Sequence, residues 1–458
     1  MQQLISVYLF GLALVIVLKM AWDHYRGRVE LLSVRNLALV GLIIFQVTSA
    51  ALRLWQDRFD PFLLSDPTRT GFEFAFWVTL FTILVFVSYN LGWIAKPLAR
   101  RVPVATVVPN AMTMLFMALI LVLMGMALRL GTAIPLVAIL ADFLGTGFCA
   151  MAAGLVGWVW GKRLLNPVLI VYGVIILGIG AFTVVYGAFG RRGLVAIGGG
   201  LLWGMYYSNW RNMAPVKMWV RLAAVSAAPL IFIALYTDAR SAGEHDRTTA
   251  QHLRAMTGAS VLRGTALLLD GQNTGTETLW LIENYPERFD HRPLFTLWYT
   301  VGVTVPRVIW PDKPIALSNT VATDARIRKV NRDKIKLSPG IMGSAAAEGG
   351  WYAVILYGVA FGLFLRFFDE IVRLAPWSPF AVLPVASGLG QVLGLARGET
   401  SVFANTYILT VAGCWITMLV VGRFVQVLRG GAGYETYEET APQDAYADDT
   451  YDYEPAAA

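Results

Sequence analysis

Val305-Pro306-Arg307-Val308-Ile309-Trp310-Pro311-Asp312-Lys313-Pro314 is the stretch of this chain whose residue types point most directly to chemistry. Proline cannot continue a helix and holds the residue before it extended. Pro306 and Pro311 therefore stop helices on either side of Arg307, and Pro314 fixes the backbone of Lys313, so two cations are displayed from a stiff turn. A guanidinium presents a planar fork to two phosphate oxygens and an ammonium adds a compact charge, a pair suited to a diphosphate. The same residues also allow a plainer role, in which Arg307 and Lys313 anchor the end of an interfacial helix. Trp310 between them is of the type that settles where water meets lipid.

The elements that must position this turn are read from hydropathy. With 57% hydrophobic and 15% charged residues and a mean hydropathy of +0.58, the 458-residue chain reads as a polytopic, all-α membrane protein and not as a soluble one. Apolar windows of span length predict about eleven transmembrane helices, near 3–22, 36–52, 74–94, 109–129, 134–160, 165–188, 193–210, 219–236, 341–365, 378–396 and 401–422. The expected organisation is spans one to eight over 1–236, a large loop over 237–340, spans nine to eleven over 341–430, and an acidic tail over 431–458. No cleavage site follows the first span, which reads as a retained anchor.

Basic residues in short loops resist translocation. Lys19, Arg26, Arg28, Arg35, Lys96, Arg100, Arg101, Lys162, Arg163, Arg211, Lys217 and Arg221 all fall on one side, and the opposite short loops hold far fewer. This predicts a cytoplasmic C-terminus and an outward-facing large loop. The net charge of +7 hides a split, because the tail from Gly431 carries eight carboxylates and no Lys or Arg, so the rest stands at +15. Held near a bilayer, that charge suits lipid headgroups and anionic lipid-linked substrates, and nucleic acid is not expected. The tail mixes tyrosines with acids, has almost no aliphatic residues, and reads as disordered.

Within the loop, Thr248 to Asp270 and Leu279 to Tyr285 show helical spacing, the second stopped by Pro286. The apolar, aromatic run from Pro293 to Pro306 is too short to span and is expected to lie in the interface or re-enter the bilayer. The loop as a whole should cap a cavity between spans. Arg191, Arg192 and Arg397 are placed on the same outer side, where charges near the membrane are costly and suggest function. The bland readings are snorkelling for the first two and pairing with Glu399 for Arg397. The interior of the spans on the opposite side is expected to be nearly uncharged. Cys149 and Cys414 sit in apolar runs and read as free thiols. His24, His245, His252 and His291 are scattered, so no metal site is expected, and the Gly198-Gly199-Gly200 run predicts close helix packing.

The Pro-Arg and Trp-Pro-Asp-Lys-Pro segment closely resembles the motif in the large periplasmic loop of Wzy-like oligosaccharide repeat-unit polymerases, which make O-antigen and exopolysaccharide. The resemblance extends to Ser338-Pro339-Gly340-Ile341-Met342-Gly343 with Glu348, Gly349 and Gly350 following, to Gly190-Arg191-Arg192-Gly193, and to an eleven-span layout with the large loop between spans eight and nine. It implies a glycosyltransferase at the periplasmic face of the bacterial inner membrane, moving a growing glycan from undecaprenyl diphosphate onto the next lipid-linked repeat unit without a cofactor. A chain-length regulator is a further implied partner. Such chemistry needs cations for the departing diphosphate and a base for the acceptor hydroxyl. Arg191, Arg192, Arg307, Lys313 and Arg397 are the cations, and Trp310, Asp312 and His291 join them as contacts for diphosphate and glycan. His291 stands upstream of Gly302 at a spacing that chance supplies readily in a chain with 43 glycines. Glu348, expected just inside span nine, is the preferred base, ahead of Glu399 and Asp312. The O-antigen ligase and a flippase or transporter of lipid-linked oligosaccharides are the alternatives.

Overall fold

The computed structural model describes residues 1–59, 62–104, 108–131, 140–186, 191–241, 255, 257–270, 274–305, 309–325 and 339–428. Arg307 and the acidic tail, 431–458, lie outside these, as do 248–254 and 256 at the start of the loop's first expected helix. Among the described residues every regular element is helical.

In chain order, the first membrane-length helices are α1 (Gln2–Tyr25), α2 (Val34–Gln56) and α3 (Pro67–Leu91). A short α4 (Ala95–Arg100) follows, then α5 (Ala111–Leu130), α6 (Phe143–Trp160), α7 (Pro167–Tyr186), α8 (Arg191–Ser208) and α9 (Pro215–Ser241). The loop contributes α10 (Val261–Asp270), α11 (Thr274–Asn284), α12 (Phe295–Gly302) and α13 (Leu317–Asp324), and the chain returns through α14 (Gly340–Gly349), α15 (Trp351–Leu374), α16 (Pro379–Ser387), α17 (Leu389–Leu395) and α18 (Thr400–Leu428).

Helix starts follow local chemistry. Asp66 accepts from the backbone N–H of Thr68 and Arg69 ahead of α3, with Pro67 as the first helical residue, and Ser378 with Pro379 repeats the arrangement at α16. Asn110 caps α5 through the N–H of Thr113 at 2.8 Å.

Nine helices among the described residues are long and apolar enough to cross a membrane. The two expected spans not among them, 193–210 and 378–396, fall in the interior of the bundle. The first is α8, and the second is broken at Gly388 into α16 and α17. Close packing explains α8. A Cβ at Gly200 would stand 2.3 Å from the Ala150 carbonyl of α6, and one at Gly204 2.1 Å from that of Gly154. Only glycine permits this backbone approach, which is how small residues join helices in lipid.

The expected span 341–365 is likewise broken. Gly350 takes φ +60°, ending α14 and restarting the chain as α15. Glu348 is therefore in a short separate helix, not inside a span. The loop differs from expectation too. Turn residues 257–260 interrupt the expected run before Val261–Asp270, the second helix begins earlier than Leu279, at Thr274, and α11 is itself buried. A Cβ at Gly275 would meet the backbone of Ala50 at 2.4 Å, so α11 packs directly against α2.

At the opposite end of the bundle the structure corrects the expectation of an uncharged interior. Asp23 pairs with Lys19 and with Arg35 Nη1, the latter at 2.8 Å. Asp369 accepts from the N–H groups of Val34 at 2.7 Å and Arg35 at 3.2 Å, at the N-terminus of α2, and from Tyr89 at 2.9 Å. Arg366 pairs with Glu370. Buried charges persist when paired and hydrogen-bonded, and these partners lie on different helices or adjoining turns, which hides them from a reading of single spans.

Candidate functional site

The short helix α14 organises the site, and both its ends are pinned. At its start, Gly340 (φ +63°) donates its N–H to the Gly398 carbonyl at 3.0 Å. Gln46, fully buried in a π-helical stretch of α2, donates to the carbonyls of Ala396 at 2.8 Å and Pro339 at 3.1 Å. It also accepts from Thr278 of α11 at 2.9 Å. One amide thus joins α2, α11, the start of α14 and the turn after α17. Midway, the hydroxyls of Ser344 and Thr400 are 3.2 Å apart.

At the far end of α14, Glu348 is 2% exposed. Its Oε1 accepts from the Thr296 N–H at 3.0 Å and from the Thr296 hydroxyl, and its Oε2 accepts from the Tyr357 hydroxyl. Burial drives the Glu348 carboxyl up to about 7, against these donors, which pull it down. A carboxyl raised into the neutral range by burial is the state a general base or acid requires. Arg292, next to His291, donates its N–H to the Ala347 carbonyl at 3.1 Å. His291 reaches the same corner. Its Cε1 lies 4.0 Å from where a Cβ of Gly350 would be, beside Trp77, and its buried Nδ1 has no hydrogen-bond partner among the described residues.

Two of the expected cations belong to the surroundings of the other end. The Arg192 guanidinium lies 4.4 Å over the Phe403 ring, and Phe403 packs on Gly394 and Gly398. Arg397 belongs to that turn, with its guanidinium 5.6 Å over Phe45. The two guanidiniums therefore lie over different rings, and α14 spans about 12 Å of helix from Gly340, which is bonded to the turn of Arg397, to Glu348. Glu399, just after Arg397, is buried, accepting from the Ser318 N–H at 2.7 Å and from Ser401 at 3.0 Å. Burial pushes its carboxyl up, and these donors pull it down.

The motif residues stand around α12. Trp310 packs edge-on to Trp298 with ring centroids 5.2 Å apart. The Lys313 ammonium donates to the carbonyls of Val303 at 2.7 Å and Val305 at 3.0 Å and lies 5.7 Å over Tyr299. Those carbonyls follow the last turn of α12, so Lys313 closes a helix end, the plainer of its two expected roles. Asp312 is exposed. Arg191 opens α8, and Arg307 falls outside the described residues. Asn405 Nδ2 donates to the Thr300 carbonyl at 2.6 Å, fastening α12 to α18.

Sequence reasoning missed Gln46, Thr296, Tyr357 and Thr278. Gln46 carried a signal, as an amide alone in an apolar run, while Thr296 and Tyr357 carried none. No protein-family model, curated protein or solved structure matches this chain.

Proposed function

We propose that this protein polymerises undecaprenyl-diphosphate-linked oligosaccharide repeat units at the periplasmic face of a bacterial inner membrane, as a lipid-linked glycosyltransferase. The observation that carries the reading is one short helix, α14, that holds the water-excluded Glu348 at one end and is bonded through Gly340 to the turn of Arg397 at the other. The Pro-Arg and Trp-Pro-Asp-Lys-Pro segment adds its support from sequence. In the step envisaged, an acceptor hydroxyl attacks the anomeric carbon of the donor glycan. Its proton passes to a carboxylate, for which Glu348 is the first choice, while the bond from the anomeric carbon to the phosphate oxygen breaks. Arg192, Arg397 and Arg307 balance the charge that develops on the departing diphosphate. Lys313 orders the end of α12 and the turn beside Arg307. Trp298 and Trp310 offer ring faces to sugars, and His291 Nδ1 is a hydrogen-bonding group for a glycan hydroxyl.

The same residues would serve an O-antigen ligase, which differs in its acceptor. Transport of a lipid-linked oligosaccharide is the second reading, and the buried charges at the other end of the bundle are the observation in its favour. Deleting the gene and examining surface glycan and lipid-linked intermediates by gel and mass spectrometry separates the three. Single repeat units accumulating with loss of long polymer is the expected outcome. Full-length polymer left on the lipid would mean ligase, and repeat units trapped on the cytoplasmic face would mean transport.

A further inference from the structure

Where α1 begins, α2 ends and α3 begins, the structure holds a cavity that the proposed reaction does not use. Its volume is about 300 Å³, at the small end of the range for ligand sites, and its lining includes Gln2, Gln3, Leu54, Trp55, Asp57 and Thr68. Gln3, Trp55 and Asp57 are exposed, so the cavity opens outward. It stands at the α14 end of the bundle, with Trp55 about 14 Å along α2 from Gln46. The turn beside it is fastened to α11, the helix bonded to Gln46. There Glu283 accepts from the N–H groups of Ser65 and Asp66 ahead of α3, each at 2.7 Å.

The lining matches a sugar, which presents a face of C–H bonds to an aromatic ring and hydroxyls around its rim. Trp55 is 50% exposed, so its indole keeps surface free for such a face. Asp57 ends α2 with φ +51°, a backbone that aspartate tolerates better than most residues. The Gln2 amide nitrogen reaches the Leu54 carbonyl at 3.3 Å and Asp57 Oδ1 at 3.1 Å. That contact steadies the carboxylate and leaves Oδ2 to accept from a ligand hydroxyl. The Thr68 backbone N–H is taken by Asp66 at 3.1 Å, while the Thr68 hydroxyl and the Gln3 amide have no partner among the described residues.

We propose that this cavity binds a glycan, by stacking on Trp55 and by hydrogen bonds to Asp57, Gln3 and Thr68. The identity of the ligand rests on the function proposed above: it is the growing chain that the reaction lengthens, held beside the site between additions. The lining favours a sugar over a lipid phosphate. It has a carboxylate and neither lysine nor arginine, so an anionic headgroup would meet repulsion with no basic side chain to offset it. Amides, a hydroxyl and one carboxylate instead supply the donors and acceptors that sugar hydroxyls pair with.

The test is titration calorimetry of the purified full chain with an oligosaccharide of a few repeat units, released by mild acid from the host's surface polymer. Wild type should bind it. Trp55→Ala and Asp57→Asn should each weaken binding about tenfold, for Asp57 the loss of one charge-assisted hydrogen bond. Both side chains are exposed and asparagine keeps the left-handed backbone, so both variants should fold, and Thr68→Val supplies a third. In liposomes charged with lipid-linked repeat units, the variants should make shorter polymer than wild type. Equal binding by wild type and the folded variants, or no binding by wild type, would overturn the site whatever the protein polymerises. Binding of phosphatidylglycerol in place of the oligosaccharide, lost in the same variants, would overturn its assignment to a sugar. Trp55-dependent binding by a wild type that makes no polymer would uphold the site and overturn the proposed function instead.

Discussion

Glu348 is held by its surroundings between two protonation states near neutral pH, and that fixes what its variants should do. Its folded carboxyl, at about 7, stands above the ordinary value of 4.5, so the folded protein binds this proton more tightly than the unfolded chain. The resulting stability is fully present below pH 4.5 and is lost as pH rises through about 7. Activity should run the other way, rising through the same range as the base ionises. Glu348→Gln should abolish polymer formation while making the protein more stable than wild type at pH 8, by about 3 kcal/mol at most, and no more stable at pH 4. Thermal unfolding at the two pH values, beside an activity assay, checks both signs. Tyr357→Phe removes a donor that favours the charged carboxyl, so the midpoint of the pH–activity profile should move upward. An unchanged midpoint would remove Tyr357 from the positioning of this group. The carboxylate was legible in the sequence as an acid among apolar residues. Its donors were not, since Thr296 stands 52 positions away and nothing in its own neighbourhood marks it.

At the scale of elements, hydropathy located the helices well because the length of an apolar run is set by the bilayer and is a local property of the chain. The breaks were not legible. Glycine is tolerated inside membrane helices, so neither Gly350 nor Gly388 announces that its helix ends, and only tertiary contacts decide. The close contact of α6 with α8 was legible from Gly198-Gly199-Gly200, and the approach at Gly200 bears it out. Gln46 is the residue through which these elements act together. Gln46→Ala would strip hydrogen bonds from the Ala396 and Pro339 carbonyls and from Thr278. Thr278 and the Pro339 carbonyl keep other partners, so the cost should be about 1–3 kcal/mol, that of one buried group left unpaired. It should also slow the reaction by loosening the turn that bears Arg397, so kcat should fall further than KM rises. A variant of normal stability and normal kcat would show that the turn is held by other means.

For the molecule as a whole, two regions of charge stand at opposite ends of the bundle. One is a set of cations and carboxylates gathered around α14, and the other is the ionic network joining α1, α2, α3 and α15. Sequence reading found the first by its motif and missed the second, because pairs such as Asp23 with Arg35 and Asp369 with the start of α2 exist only after folding. The central claim is that the first region makes glycosidic bonds between lipid-linked repeat units. It is tested most directly by reconstituting the purified chain in liposomes with undecaprenyl-diphosphate-linked single repeat units and no other enzyme. A ladder of polymer, with one undecaprenyl diphosphate released for each linkage formed and no ladder from Glu348→Gln, is the predicted result. Folded wild-type protein that leaves the repeat units single would contradict it.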